Sequence, residues 1–265
     1  MGMLTGKTAI VTGGSNGIGY AIGQTLAAQG AFVTLIGRDE KRLSDAAGDA
    51  MAAGGNADYI VCDLYKEDSA QFVTDEVIRR RGRIDILVND AMWWTNEPFF
   101  SVTRENFRKG LSEYLEATFF LTQAVAATMV TAKTGGRIIH IGSTAAFYGE
   151  RGMSVYCTAK AAVVNMTRAQ ALELGEYGIT VNTVAPGTTV TRNEKRPAHV
   201  LECFRKMGAL PQLNTSQEIA DAVAFMASDM SRGITGQTIS VDGGCVSIRM
   251  PEKLFTDPIL DVQEP

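Results

Sequence analysis

Short apolar runs alternate with amphipathic stretches along nearly all of this 265-residue chain, and that alternation constrains its fold more than any other feature. Residues 7–12 (KTAIVT), 32–36 (FVTLI), 57–61 (ADYIV), 84–88 (IDILV), 136–142 (GRIIHIG), 179–184 (ITVNTV) and 237–241 (QTISV) read as strands. Helical patterns over about 17–29, 39–53, 66–81, 103–132, 154–177 and 216–229 fill most of the gaps. The strand runs are rich in Val and Ile, as expected of strands covered on both faces. Strand–helix–strand units of this length build a parallel sheet with helices on either side. Right-handed crossovers then favour a doubly wound arrangement. The expectation is an α/β protein with a single-domain doubly wound parallel sheet, the Rossmann fold, over residues 1–265. Two regions read as irregular, about 187–215 and the tail over about 246–265.

Composition narrows the function classes. The net charge is −4, and no dense basic patch is present, so a nucleic-acid partner is not expected. The run Arg79-Arg80-Arg81 closes a predicted helix, where positive charge complements the helix C-terminus. No apolar run approaches the ~20 residues that span a bilayer, and no membrane partner is expected. Cys62, Cys157, Cys203 and Cys245 are far apart, and the histidines are His140 and His199. This pattern predicts no metal site. Isolated cysteines suit a reducing cytoplasm, the expected location.

The first strand runs into Thr12-Gly13-Gly14-Ser15-Asn16-Gly17-Ile18-Gly19, which opens a helix. Gly13 can take backbone angles closed to other residues. Gly17 and Gly19 lack side chains where backbone must approach a pyrophosphate or pack helix on strand. The helix start offers unpaired N–H groups to phosphate oxygens, with Ser15, Asn16 and Ile18 in the same turn. Further on, Tyr156 and Lys160 stand four residues apart on one predicted helical face. An ammonium near a phenol lowers the phenol's pKa from ~10. Ser143, at the end of strand 136–142, is placed to hydrogen-bond a substrate oxygen while Tyr156 exchanges its proton.

Thr-Gly-x-x-x-Gly-x-Gly at 12–19 resembles the fingerprint of the short-chain dehydrogenase/reductase family, and the resemblance extends over roughly residues 5–245. Cys62-Asp63-Leu64 resembles the family's adenine-contacting turn, and Asn89-Asp90-Ala91-Met92 stands where the family usually has Asn-Asn-Ala-Gly. Pro186-Gly187 and Val241-Asp242-Gly243-Gly244 are similar to its later markers, and Ser143 and Tyr156 have its usual separation. The resemblance implies a nicotinamide-dependent oxidoreductase acting on a small carbonyl or alcohol, usually a homo-oligomer (tetramer or dimer). It implies that Lys160 also bonds the nicotinamide ribose and that Thr188 and Thr191 contact the nicotinamide amide. It also implies that 187–215 covers the substrate. Tyr114 departs from it, standing where the family commonly has a catalytic asparagine. Its hydroxyl is expected either to join the proton relay or to close that path.

Arg38 follows Gly37 at the end of the second strand, where an acidic residue would bind the ribose of NAD. Arginine pairs well with a 2′-phosphate, so NADP is expected over NAD. Trp93, Trp94, Phe147 and Met153 border the expected pocket and suit a largely apolar, cyclic or aromatic substrate. A non-catalytic NAD(P)-binding sensor or scaffold is the alternative, and Tyr114 is the feature in its favour.

Overall fold

The computed structural model describes residues 2–92, 96–192 and 195–246. Seven parallel strands form one sheet: β1 (Thr8–Thr12), β2 (Phe32–Gly37), β3 (Asn56–Val61), β4 (Ile86–Asn89), β5 (Gly136–Ile141), β6 (Ile179–Pro186) and a last strand, Thr238–Val241, numbered β9. The order across the sheet is β3-β2-β1-β4-β5-β6-β9. Chain order reverses beside β1, between β1 and β4, and a ligand crevice opens at the strand ends there. Between the strands run α1 (Gly17–Ala28), α2 (Glu40–Ala52), α3 (Ser69–Arg81), α4 (Arg104–Leu111), α5 (Ala117–Ala132), α6 (Ser154–Leu174), α7 (Ala198–Arg205) and α8 (Ser216–Ala227). The doubly wound expectation is met, with element bounds within a few residues of those read from periodicity.

Alternate strand residues feed opposite cores, because successive side chains point to opposite faces. Val11, Val33, Leu35, Ile139, Ile141 and Val184 join Ile22, Leu26, Ile219 and Val223 in one cluster. Ile10, Ile36, Leu87, Ile138 and Val181 join Val73, Leu121 and Met129 in the other. Each fully buried aliphatic side chain contributes about 1.5–3 kcal/mol.

Two expectations change. The stretch 187–215 is not irregular throughout: Thr189–Val190 (β7) pairs in parallel with Asn214–Thr215 (β8), and α7 lies between them. Two-residue strands leave no periodicity to read. The 103–132 helix also exists, but Ser112–Glu116 forms a π turn joining α4 to α5. The continuous helix Arg104–Ala132 is long and apolar enough by composition to cross a membrane, which the reading by apolar runs did not register. Here it flanks the sheet: Leu121, Val125 and Met129 enter the core, while Phe107, Phe119 and Phe120 are exposed.

Candidate active site

The glycine-rich turn leaves β1 and enters α1 with Gly13 at φ 69° and Gly17 at φ 57°, both in the left-handed region. Gly19 is required for space. A Cβ there would stand 2.5 Å from the Gly13 carbonyl oxygen and 2.6 Å from Asp90 Oδ2. Asn16 is the N-cap residue, and its side chain makes no capping bond. Ser15 lies near Gly37, where a Cβ would be 3.6 Å from its Oγ. Thr191 approaches from the far side, its Cγ2 3.8 Å from where a Cβ on Gly17 would lie. This cradle of left-handed glycines and helix-start N–H groups fits a pyrophosphate.

Ser143 follows β5 by two residues and caps a short 3-10 turn, its Oγ accepting from the Ala145 N–H at 3.1 Å. Tyr156 and Lys160 project from α6, and all three side chains are buried. Lys160 Nζ donates to the Ile141 carbonyl oxygen at 2.7 Å, holding α6 against the end of β5. Nζ lies 5.8 Å from the ring centres of both Tyr156 and Tyr114. Those two rings meet edge to face at 5.6 Å. The structure therefore brings Ser143, Tyr156, Lys160 and Tyr114 together.

The electrostatics differ from the expectation. Burial pushes the Tyr156 phenol up to about 12, while its hydrogen bond with Ser143 pulls the other way. Lys160 does not bring it down in the chain alone. The lysine is itself held low by burial, and Glu150, Cys157 and Asp90 add to the rise of the phenol. Burial also raises Tyr114, reinforced by Tyr156, Tyr65 and Glu113. Its hydroxyl is buried and finds no hydrogen-bond partner among the described residues.

The remaining predicted residues fall as follows. Arg38 is exposed at the end of β2, 5.7 Å over the Tyr65 ring. Asp39 is occupied elsewhere, capping α2 through the Arg42 N–H and pairing with the Arg42 side chain. Asp63 accepts from the Tyr65 N–H, and Leu64 leans on the core. Asn89 spends its side chain inside the fold, on Thr122 and His140 at 3.1 Å each. Pro186 ends β6, and Gly187 lies so close to Asp242 Cα that a Cβ would come within 2.8 Å. Thr188 lines a small cleft with Tyr148, Phe204 and Cys245. Met153 is buried against Tyr156 and Tyr114, whereas Phe147 is exposed. Trp93, Trp94 and nearly all of the 246–265 tail lie outside the described residues.

Sequence reasoning missed two participants. Asp90 puts its carboxylate against the glycine-rich turn, a position the Asn89-Asp90-Ala91-Met92 departure marked without explaining. Tyr65 lies between Arg38 and Tyr114, and no spacing in the sequence announces it. A groove of about 710 Å³, lined by Phe107, Leu111, Leu115, Phe119, Phe120 and Met166 among others, lies along α4, α5 and α6 rather than beside the serine and phenol.

Residues 13–246 match the family described as enoyl-(acyl carrier protein) reductase. The chain is 37% identical to the 3-oxoacyl-(acyl-carrier-protein) reductase FabG of Escherichia coli over 247 residues, covering 90% of this chain and 97% of that protein. It is 34% identical to the L-rhamnose 1-dehydrogenase (NAD(P)(+)) of Azotobacter vinelandii over 249 residues, 91% of this chain and 97% of that one. Among solved structures it superposes on a short-chain dehydrogenase/reductase from Serratia marcescens with a TM-score of 0.87 at 33% identity, covering 92% and 99% of the two chains. A dehydrogenase/reductase from Sinorhizobium meliloti gives 0.86 at 35% identity, covering 91% and 96%. By that family match and those identities over nearly the whole of both chains, the chain belongs to the short-chain dehydrogenase/reductase family of oxidoreductases.

Proposed function

We propose that this chain transfers hydride between NADP(H), in preference to NAD(H), and the carbonyl or alcohol carbon of a small, largely apolar substrate, cyclic or aromatic, with Tyr156 exchanging the proton. The observation that carries this reading is the meeting of Ser143, Tyr156 and Lys160 at one end of the sheet, next to a turn shaped for pyrophosphate. When bound, the dinucleotide supplies the hydride chemistry. The turn from Gly13 to Gly19, Arg38, Asp63 with Leu64, the Asn89 segment, Pro186 to Thr188, and Thr191 would hold it. Ser143 orients the substrate oxygen, and Tyr156 stands within hydrogen-bond reach of the serine. A phenol near 12 is protonated at neutral pH, which suits donation to a carbonyl oxygen. Lys160 keeps a positive charge beside the phenol, and Tyr114 closes the relay behind it or narrows the path.

Arg38 supports NADP, because its guanidinium is exposed at the strand end and Asp39 is already bound to Arg42. Phe147 and Met153 support an apolar pocket, joined by Trp93 and Trp94. The 3-oxoacyl relatives act on carrier-bound substrates, a use for which this chain has less support: Arg79 and Arg80 pair with Glu76, and Arg80 and Arg81 with Asp58. The exposed phenylalanines on α4 and α5 support a homo-oligomer, a dimer or tetramer of single-domain cytoplasmic chains, which light scattering of the pure protein checks.

The test follows reduced-nicotinamide absorbance with NADPH and NADH over a panel of cyclic and aromatic ketones. NADPH-dependent turnover is expected, and Tyr156→Phe should lower kcat by at least about 100-fold with the dinucleotide still bound. Turnover that survives that substitution would remove the proposed acid. Thermal stabilisation by dinucleotide with no turnover on any substrate would favour the sensor reading.

A further inference from the structure

Asp90 has no role in the scheme above, yet it lies between the two halves of the site. It follows β4, and the Thr12 hydroxyl accepts from the backbone N–H of both Asp90 and Ala91 at 2.9 Å. That pair of bonds pins the segment across the end of β1. The carboxylate reaches into the glycine-rich turn: Oδ2 lies 2.6 Å from where a Cβ on Gly19 would stand, and 3.1 Å from one on Gly13. The Gly19 N–H donates to it. On its other side is Lys160: β4 and β5 run in register to the pair Asn89–His140, which sets Asp90 beside Ile141, whose carbonyl holds Lys160 Nζ at 2.7 Å.

A carboxylate and an ammonium withdrawn from water each lose hydration, and each is kept ionised by an opposite charge. Burial pushes Asp90 up and Lys160 down, and each charge opposes that drift in the other. The surroundings supply no substitute. Lys160 faces the Ile141 carbonyl on β5, the Tyr114 ring on the π turn, the Tyr156 ring on α6, and buried His140, which burial holds neutral. Asp90 faces Thr12 on β1, Gly13 and Gly19 around the start of α1, and Lys160 and Tyr156 on α6. Of these groups, Lys160 alone carries positive charge.

We propose that Asp90 is a positioning residue acting through Lys160: its carboxylate clamps the glycine-rich turn at the Gly19 N–H and keeps the lysine an ammonium, so that one acidic side chain sets both the phosphate cradle and the proton-transfer group. Asparagine, the residue the family usually carries here, makes the first bond but supplies no charge. The use of Lys160 in turnover rests on the function proposed above; the Asp90–Lys160 linkage does not.

The test labels lysine Cε with carbon-13 in the full chain and follows Lys160, assigned by its disappearance in Lys160→Arg, through a pH titration. In Asp90→Asn the Lys160 midpoint is expected to fall by roughly one pH unit or more. Reciprocally, Lys160→Met should raise the midpoint of carbon-13-labelled Asp90 by a similar amount. In parallel, kcat of Asp90→Asn should lose its basic limb at correspondingly lower pH, while dinucleotide Kd changes by less than about threefold, because the amide oxygen still accepts from Gly19. A Lys160 midpoint that moves by less than roughly 0.3 unit in Asp90→Asn overturns the proposal. If that variant does not fold, an unmoved Asp90 midpoint in Lys160→Met overturns it instead. A parent chain with no turnover on any substrate but with the expected midpoint shifts would remove the hydride-transfer reading and support the linkage.

Discussion

Tyr156 and Tyr114 are both buried phenols, yet their surroundings assign them differently. Tyr156 has the Ser143 hydroxyl to stabilise its ionised form; Tyr114 has only raising influences and a hydroxyl with no partner among the described residues. Tyr114 therefore stays protonated across the working range and can only pass on a proton it receives back. If it is in the relay, Tyr114→Phe should lower kcat by about tenfold or more, and Tyr114→Asn should keep more activity than Phe. Steady-state rates of both variants over pH check this, and profiles equal to the parent in both would leave Tyr114 a space filler. At the cofactor end, Arg38→Asp should shift the ratio of kcat/KM for NADPH over NADH toward NADH by roughly 10–100-fold, since a charge-assisted bond is worth about 1.5–3 kcal/mol. An unchanged ratio would rule out Arg38 as the discriminator.

At the scale of elements, the first turn and helix show how differently two glycines can behave. Gly19 in α1 meets backbone oxygen and the Asp90 carboxylate wherever a Cβ is placed. Gly48 in α2 meets nothing within 4 Å and has no left-handed backbone. Gly19→Ala should thus destabilise by about 1–3 kcal/mol and abolish tight dinucleotide binding. Gly48→Ala should stabilise by about 0.5–1 kcal/mol, because helical glycine carries extra backbone entropy into the unfolded state. Urea midpoints of the two variants, with dinucleotide titration of each, check both signs. The π turn at Ser112–Glu116 is the other element that shapes the site, since it carries Tyr114 toward Tyr156 and Lys160. Such single π turns inside α-helices are frequent at functional sites.

For the whole molecule, His140 links the fold to pH. It is fully buried on β5 between Asn89 and Gln170, and burial pulls it down to about 4 from an ordinary 6.5. A depressed histidine means that the unfolded chain binds more protons between those values. Its contribution is complete above about 6.5 and is lost as pH falls toward 4, amounting to at most about 3 kcal/mol. Stability from urea unfolding at a series of pH values should therefore fall steadily on acidification from 7 to 4.5, and His140→Gln should flatten that slope. An equal slope in the variant would move the dependence to other groups. The same side chain ties β4, β5 and α6 together directly beneath Ser143 and Lys160, so acid loosening of the core would reach the site.

Strand and helix order, the glycine-rich turn and the Ser143–Tyr156–Lys160 cluster were legible in the chain because each rests on local spacing: period two in strands, a four-residue step on one helical face, glycines where a turn demands them. Most of the residues proposed above to hold the dinucleotide were picked out by the same local spacing. What tertiary structure alone decided was non-local. Asn89 turned its side chain into the core because His140 and Thr122 offered partners there. The β7–β8 pair formed between segments too short to show a period. The phenol rose rather than fell because three-dimensional packing dehydrates it, and an aspartate far away in sequence adds to the rise. Spacing along a chain fixes which face a side chain leaves from; burial and the charges it meets depend on what other strands and helices bring to that place.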